Sequence, residues 1–278
     1  MKFCEQSVRL PCTCASINTL DRLGEMGMRS DSVAVLGTRI DALSWEQALG
    51  RILKWASEKQ SRMVCLCNVR VVISARHDEA LRRGLQHSDM ATPDGAPIAW
   101  LMRKIGWREQ QRISGPDLMW RLMGEAARLQ LPVFLLGSTE NTQARLIQRL
   151  QTAFPDLRIA GSLSPPFRDL SAAEDDRIAD IINLSGARLL FVGLGCPKQE
   201  IWMAAQRNRV QAVMLGVGAA FDYHAGVLVR APQSWQRLGL EWLYRLYREP
   251  SRLMRRYLVT NSLFLLALPG ELWRSTRH

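Results

Sequence analysis

Short, uniformly apolar runs alternate with amphipathic segments through most of this chain. Val33-Ala34-Val35-Leu36-Gly37 reads as a first short strand and Met63-Val64-Cys65-Leu66-Cys67-Asn68 as a second. Asp89-Met90-Ala91-Thr92 reads as a strand end that runs into a Pro93-Asp94-Gly95 turn. Further strands are expected at 132–137, 157–161, 187–193 and 210–216. Helical patterns separate them. One starts at Ser44, which has Gln47 three residues later as its capping-box partner, and runs to about Glu58. Others run through Ser74 to Gly84, from Ser138-Thr139 to about Phe154, and over 172–184 and 198–207. Strands that are apolar on both faces and alternate with helices predict an α/β fold, a Rossmann-like parallel sheet with helices on both faces. Ligands of such sheets bind beyond the carboxyl ends of the strands. The loops after Asn68, Thr92, Gly137, Gly193 and Gly216 are therefore where chemistry is expected.

The strand pattern stops near Arg230. A helical, arginine-rich segment follows, and Pro250 splits it, since proline breaks a running helix but suits a first turn. Three regions are expected: a loose N-terminal extension over 1–30, a catalytic core over 31–229, and a C-terminal appendage over 230–278. No run approaches the roughly 20 apolar residues of a membrane span. The N-terminus lacks the apolar core of a signal peptide, so a cytoplasmic location is expected.

Charge sharpens this division. The net charge is +11, and the appendage carries nine arginines, no lysine and three glutamates. Trp235, Trp242, Tyr244, Tyr247, Tyr257 and Trp273 are interleaved with those arginines. Arginine mixed with aromatics suits phosphate sites and membrane interfaces, so peripheral docking on an anionic membrane surface is expected. Exposed apolar appendage surface can be buried against a membrane or in a homo-oligomer, and the sequence leaves both open. Two Cys-x-Cys pairs, Cys12/Cys14 and Cys65/Cys67, lack the spacing and second pair of a zinc site; they read as reduced thiols, and no metal site is expected.

Several loops carry residues with chemical potential. Gly193-Leu194-Gly195-Cys196-Pro197-Lys198-Gln199-Glu200 joins a strand to a helix, where backbone N–H groups can meet phosphate. Lys198 stands where a dinucleotide fingerprint has its third glycine, so the segment reads equally as a tight turn. Asp94, at a strand end, suits a general base that deprotonates a hydroxyl, although Asp-Gly is also an ordinary turn. Arg112, ahead of Ile113-Ser114-Gly115, suits a phosphate or a solvated helix start. Asp222 in Phe221-Asp222-Tyr223-His224 suits a ribose or base.

Taken in order, Pro93-Asp94-Gly95, Arg112-Ile113-Ser114-Gly115, Pro197-Lys198-Gln199-Glu200, Gly216-Val217-Gly218-Ala219-Ala220-Phe221-Asp222, Arg230-Ala231-Pro232, Gly239-Leu240-Glu241-Trp242-Leu243-Tyr244-Arg245-Leu246 and Glu249-Pro250-Ser251-Arg252 resemble the WecG/TagA/CpsF family of bacterial glycosyltransferases. The resemblance spans about 33–258. It implies inverting transfer from a UDP-sugar to a polyprenyl-diphosphate-linked sugar, in the synthesis of teichoic acid linkage units, common antigen or exopolysaccharide. It implies no cofactor, Asp94 as the base, Arg112 and Gln199 in the substrate site, Asp222 on the nucleotide, and Arg245, Arg252 and Arg255 as the appendage arginines. Many members carry Thr-x-Asn at the second strand end; here Leu66-Cys67-Asn68 retains only Asn68 as a substrate-site residue. No Asp-x-Asp element is present to hold a metal on the diphosphate, so arginines are expected to supply that charge, with Gly193, Gly195 and Lys198 as the phosphate loop. A nucleotide-dependent oxidoreductase would need the complete glycine fingerprint. A non-enzymatic membrane or nucleic-acid binder would account for the charge but not for Asp94 or Gln199; no nucleic-acid partner is expected.

Overall fold

The computed structural model describes residues 31–275, and the expected 1–30 extension, with Cys12 and Cys14, lies outside them. The chain enters through an antiparallel hairpin, β1 (Ser32–Val35) and β2 (Thr38–Asp41), where a single strand was expected. The hairpin stands apart from the main sheet because Leu36 and Gly37 turn the chain back through left-handed conformations. Asp41, at its end, accepts the Ala91 N–H at 2.7 Å and so holds the hairpin beside the sheet.

The main sheet contains β3 (Arg62–Cys67), β4 (Met90–Pro93), β5 (Val133–Gly137), β6 (Ile159–Leu163), β7 (Leu189–Gly193) and β8 (Val213–Gly216). Their order is β4-β3-β8-β7-β5-β6, and every adjacent pair is parallel. Between strands lie α1 (Trp45–Ser57), α2 (Val69–Ala75), α3 (Glu79–Gln86), α4 (Ala96–Lys104), α5 (Gly115–Leu129), α6 (Glu140–Ala153), α7 (Ala172–Leu184) and α8 (Lys198–Ala205). After β8 come α9 (Ala220–His224), α10 (Gln233–Arg237), α11 (Glu241–Arg248) and α12 (Pro250–Ser275).

The pleat explains the uniformly apolar strands. Met63, Cys65, Cys67, Val192 and Met214 pack on one face with α2, α3, α7 and α8. Val64, Leu66, Leu135, Phe191 and Leu215 pack on the other with α1, α5 and α6. Each strand thus needs apolar residues at both parities, which removes the alternation of a half-exposed strand. Burial pushes the Cys65 and Cys67 thiols well up, which keeps them protonated and unreactive.

Several boundaries differ from the sequence reading, among them the strands expected at 187–193 and 210–216, which start at Leu189 and Val213. The helix expected from Ser74 to Gly84 is two helices, because Asp78 accepts the Leu81 N–H at 3.0 Å and caps a new start. The strand expected at 157–161 is β6, two residues later, because Leu157 still closes the turn onto Phe154. The helix expected to reach 207 ends at Ala205. The capping box at Ser44 and Gln47 is formed as expected.

The C-terminal segment is seated on the core. Leu253 and Phe264 are buried, α12 packs along α2, and Glu271 accepts the Leu36 N–H at 3.1 Å. Its other side exposes Met254, Leu258, Val259, Leu265, Leu266 and Trp273. No helix among the described residues is long and apolar enough to cross a membrane.

The carboxyl edge of the sheet is drawn tight at Gly137, whose φ is +114°. A Cβ there would lie 2.6 Å from the Gly193 backbone. Gly137→Ala is expected to cost about 2–4 kcal/mol, through backbone strain and the clash, read as a lower denaturant midpoint at unchanged m-value.

Candidate active site

Three loops meet over the carboxyl ends of β3 and β4. Asn68 follows the last residue of β3 and caps α2 by accepting the Val71 N–H at 3.2 Å. Its amide nitrogen is thereby turned to donate to Asp94 Oδ2 at 3.2 Å. The other carboxylate oxygen of Asp94 accepts the Gly115 N–H, the first of α5, at 3.1 Å. Ile113 donates to the Pro93 carbonyl at 3.0 Å and pins the 110–114 loop beside β4. Arg112, next to it, donates from Nε to the Asp94 carbonyl at 2.7 Å.

Asp94 is half-buried and titrates high. Burial raises it, while the Arg112 guanidinium, the Asn68 amide and the Gly115 N–H favour its charge and only partly offset the desolvation. A carboxylate with neutral donors on each oxygen and no bidentate cation retains basicity, which is what proton abstraction needs.

The second group forms over β5 and β8. Asp222, on α9, accepts from Ser138 Oγ at 3.4 Å. Burial pushes its carboxyl up, against Ser138, Arg245 and Arg252. Arg245 lies 5.7 Å above the Tyr223 ring and 3.6 Å from Glu249, which also pairs with Arg252 at 3.0 Å. The seated appendage therefore brings Arg245 and Arg252 to Asp222. Arg255 stays exposed on α12.

The third group is the turn after β7. Gln199 is buried and its amide is fully engaged: Nε2 donates to the Gly216 carbonyl at 3.0 Å and to Glu200 at 2.8 Å, and Oε1 accepts the Gly195 N–H at 3.1 Å. Gln199 thus staples the ends of β7 and β8 together. Gly193 backs onto Phe221, whose ring a Cβ would meet at 2.9 Å. Lys198 turns outward to an exposed pair with Asp169 at 3.1 Å and is not brought to the Asp94 group.

Sequence reasoning missed four charged residues here. Glu241 accepts from Arg112 Nη2 at 2.6 Å and from Arg230 Nε at 3.3 Å, and Arg230 also forks onto Asp117. Arg70 donates to the Cys196 carbonyl at 2.6 Å. Arg256 is half-buried, its Nε is enclosed without a hydrogen-bond partner, and burial together with the Arg70 charge holds its pKa below the ordinary value. Glu241 and Arg230 lie inside motifs that the sequence displays. Arg70 and Arg256 carry no local signal, since only packing of α12 on α2 brings their charges near each other.

A parallel α/β sheet with a basic carboxylate and arginines gathered at its carboxyl edge suits group transfer from a phosphorylated donor, and the class is that of the glycosyltransferases. The model of the WecG/TagA/CpsF glycosyl transferase family matches residues 33–278, and the chain belongs to that family. One relative is the N-acetylglucosaminyldiphosphoundecaprenol N-acetyl-beta-D-mannosaminyltransferase of Bacillus spizizenii. It is 31% identical over 202 residues, which cover 72% of this chain and 77% of the relative.

Proposed function

We propose that this glycosyltransferase moves a sugar from a UDP-sugar, UDP-N-acetylmannosamine first among the candidates, onto a polyprenyl-diphosphate-linked saccharide, with inversion and without a metal ion. The observation that carries this reading is the Asp94 carboxylate, half-buried at a strand end and held by neutral donors, with the Arg112 guanidinium beside it. In the reaction Asp94 takes the acceptor hydroxyl proton as that oxygen attacks the anomeric carbon. The bond from that carbon to the UDP oxygen breaks, and its electron pair leaves with UDP. Arg245, Arg252, Arg256 and Arg70 supply the charge that stabilises the departing diphosphate. Asp222 and Ser138 hold the nucleoside, and Gln199 holds the loop beneath them. The relative's acceptor supports a lipid-linked diphosphate as the second substrate. The exposed apolar face of α12, with arginines beside it, supports docking on the anionic cytoplasmic face of the membrane, where such a lipid is found.

Thermal denaturation of the full-length protein against UDP, several UDP-sugars, GDP and NADH, in the presence of lipid and without added metal, tests this. UDP and one UDP-sugar are expected to stabilise by about 2.7 kcal/mol at a hundredfold excess over Kd, with GDP and NADH much weaker. Silence with every uridine nucleotide would overturn the reading.

A further inference from the structure

The charges around Asp94 close into a ring. Arg112 Nε donates to the Asp94 carbonyl at 2.7 Å and Nη2 to Glu241 Oε2 at 2.6 Å. Glu241 Oε1 accepts from Arg230 Nε at 3.3 Å. Arg230 forks onto Asp117 at 2.5 and 2.8 Å and reaches Ser114 Oγ at 3.3 Å. Ser114 and Asp117 frame the start of α5, whose first N–H returns to Asp94 Oδ1 at 3.1 Å. Asp94, Arg112, Ser114 and Asp117 lie on the core, Arg230 stands at the start of the C-terminal segment, and Glu241 is the member contributed by helix α11.

The pair at its centre is shielded: the Glu241 and Arg112 side chains are 15% and 24% exposed. An exposed ion pair contributes little to stability, but a shielded one hydrogen-bonded at both ends fixes geometry. Arg112 has one acceptor in the core, the Asp94 carbonyl, and one in the appendage. Its planar fork is oriented only when both are present.

We infer that Glu241 is a positioning residue, which on seating of α11 clamps Arg112 against the backbone of the Asp94 loop and so sets the base in its working arrangement. This rests on the reading of Asp94 as the base. The groups facing Asp94 are Arg112, Asn68, the Gly115 N–H, the Cys67 thiol and, beyond Arg112, Glu241. Glu241 itself faces Arg112, Arg230 and Tyr223. Arg112 favours the Asp94 charge more than Glu241 opposes it.

Two substitutions separate clamp from charge. Glu241→Gln removes the charge but leaves an oxygen for Arg112. Asp94 then loses a repelling neighbour, and its titration is expected to move to lower pH. Glu241→Ala removes the oxygen too. Arg112 is released, Asp94 loses its strongest favourable charge, and the titration is expected to move to higher pH. The kcat of Glu241→Ala should fall about 10- to 100-fold, and that of Glu241→Gln by much less. A residue that acts only through its charge would move both titrations equally to lower pH, and one with only a packing role would lower thermal stability in both variants.

The experiment is NMR of 13C-labelled aspartate in the full-length protein, with the Asp94 signal assigned by its loss in Asp94→Asn. It is read beside the pH profile of kcat with the UDP-sugar that stabilises the protein. Opposite shifts in the two folded variants support the clamp; equal shifts, or none, overturn it. If Glu241→Ala does not fold, Arg112→Lys, which keeps the charge but cannot span both acceptors, is read instead: a titration moved to higher pH supports the clamp and an unmoved one overturns it. An active Asp94→Asn would refute the base reading, while the titrations would still decide whether Glu241 holds Arg112.

Discussion

Asp94→Asn is expected to lower kcat for glycosyl transfer by about 10²- to 10⁴-fold, the range lost with a general base. Asparagine keeps an oxygen for the Gly115 N–H and preserves shape, but it cannot accept the acceptor proton. Stability should change in a way that marks this as chemistry. Asp94 is raised in the folded protein by burial, so it favours folding below its unfolded pKa and loses that contribution as pH rises through the folded value. At neutral pH the ionised group is thus a burden, and Asn removes it. The substitution also turns one amide against the Asn68 donor, a loss of about 1 kcal/mol. The two effects oppose, and chemical denaturation at pH 7 should find the variant within about 1 kcal/mol of the parent while kcat falls by that factor. In the parent, kcat should fall as pH drops through the raised Asp94 titration, and this acid limb should vanish in the variant. Retention of activity in a folded Asp94→Asn protein would remove Asp94 from the mechanism.

Arg245→Gln and Arg256→Gln should each weaken UDP binding by about 10- to 100-fold, the loss of one or two charge-assisted hydrogen bonds. Uridine, which lacks phosphate, should bind the variants and the parent alike. The reasoning starts from partners. Arg256 has an enclosed Nε with no acceptor, Arg70 and Arg245 as charged neighbours, and only Tyr257 on its favourable side. Arg245 Nε is also enclosed without a hydrogen bond, beside the Tyr223 ring and 3.6 Å from the Glu249 carboxylate, too long for a hydrogen bond. Guanidinium groups gathered in this way are matched by a diphosphate. Arg255, one residue away, is exposed. Arg255→Gln should leave UDP affinity in place and weaken binding to anionic vesicles about fivefold, near 1 kcal/mol for one arginine at a charged surface. Calorimetry with UDP and vesicle sedimentation would separate the two; equal UDP affinity in Arg256→Gln and the parent would detach Arg256 from the diphosphate.

The arginine contrast also marks the line between what sequence and structure decide here. Strands, helices and their alternation were legible because both sheet faces are covered, which writes a continuous apolar run at each strand. The Ser44 capping box and the break at Pro250 were legible because each acts within a few residues. Asp94, Arg112, Asp222 and Arg245 could be singled out because they stand at strand ends or in distinctive local wording. Tertiary structure alone decided the rest. The hairpin turns on the left-handed Leu36-Gly37 pair, and the split at Asp78 on one capping hydrogen bond that competes with a longer helix. Gln199 could be singled out as a substrate-site residue, but that its amide is engaged by Gly195, Gly216 and Glu200 follows only from the closure of β7 beside β8. Glu241 and Arg112 are 129 residues apart, and Arg70 and Arg256 lie still farther apart along the chain. Coulomb energy depends on distance in space and on the water excluded around a charge, and neither is written in the order of residues along the chain.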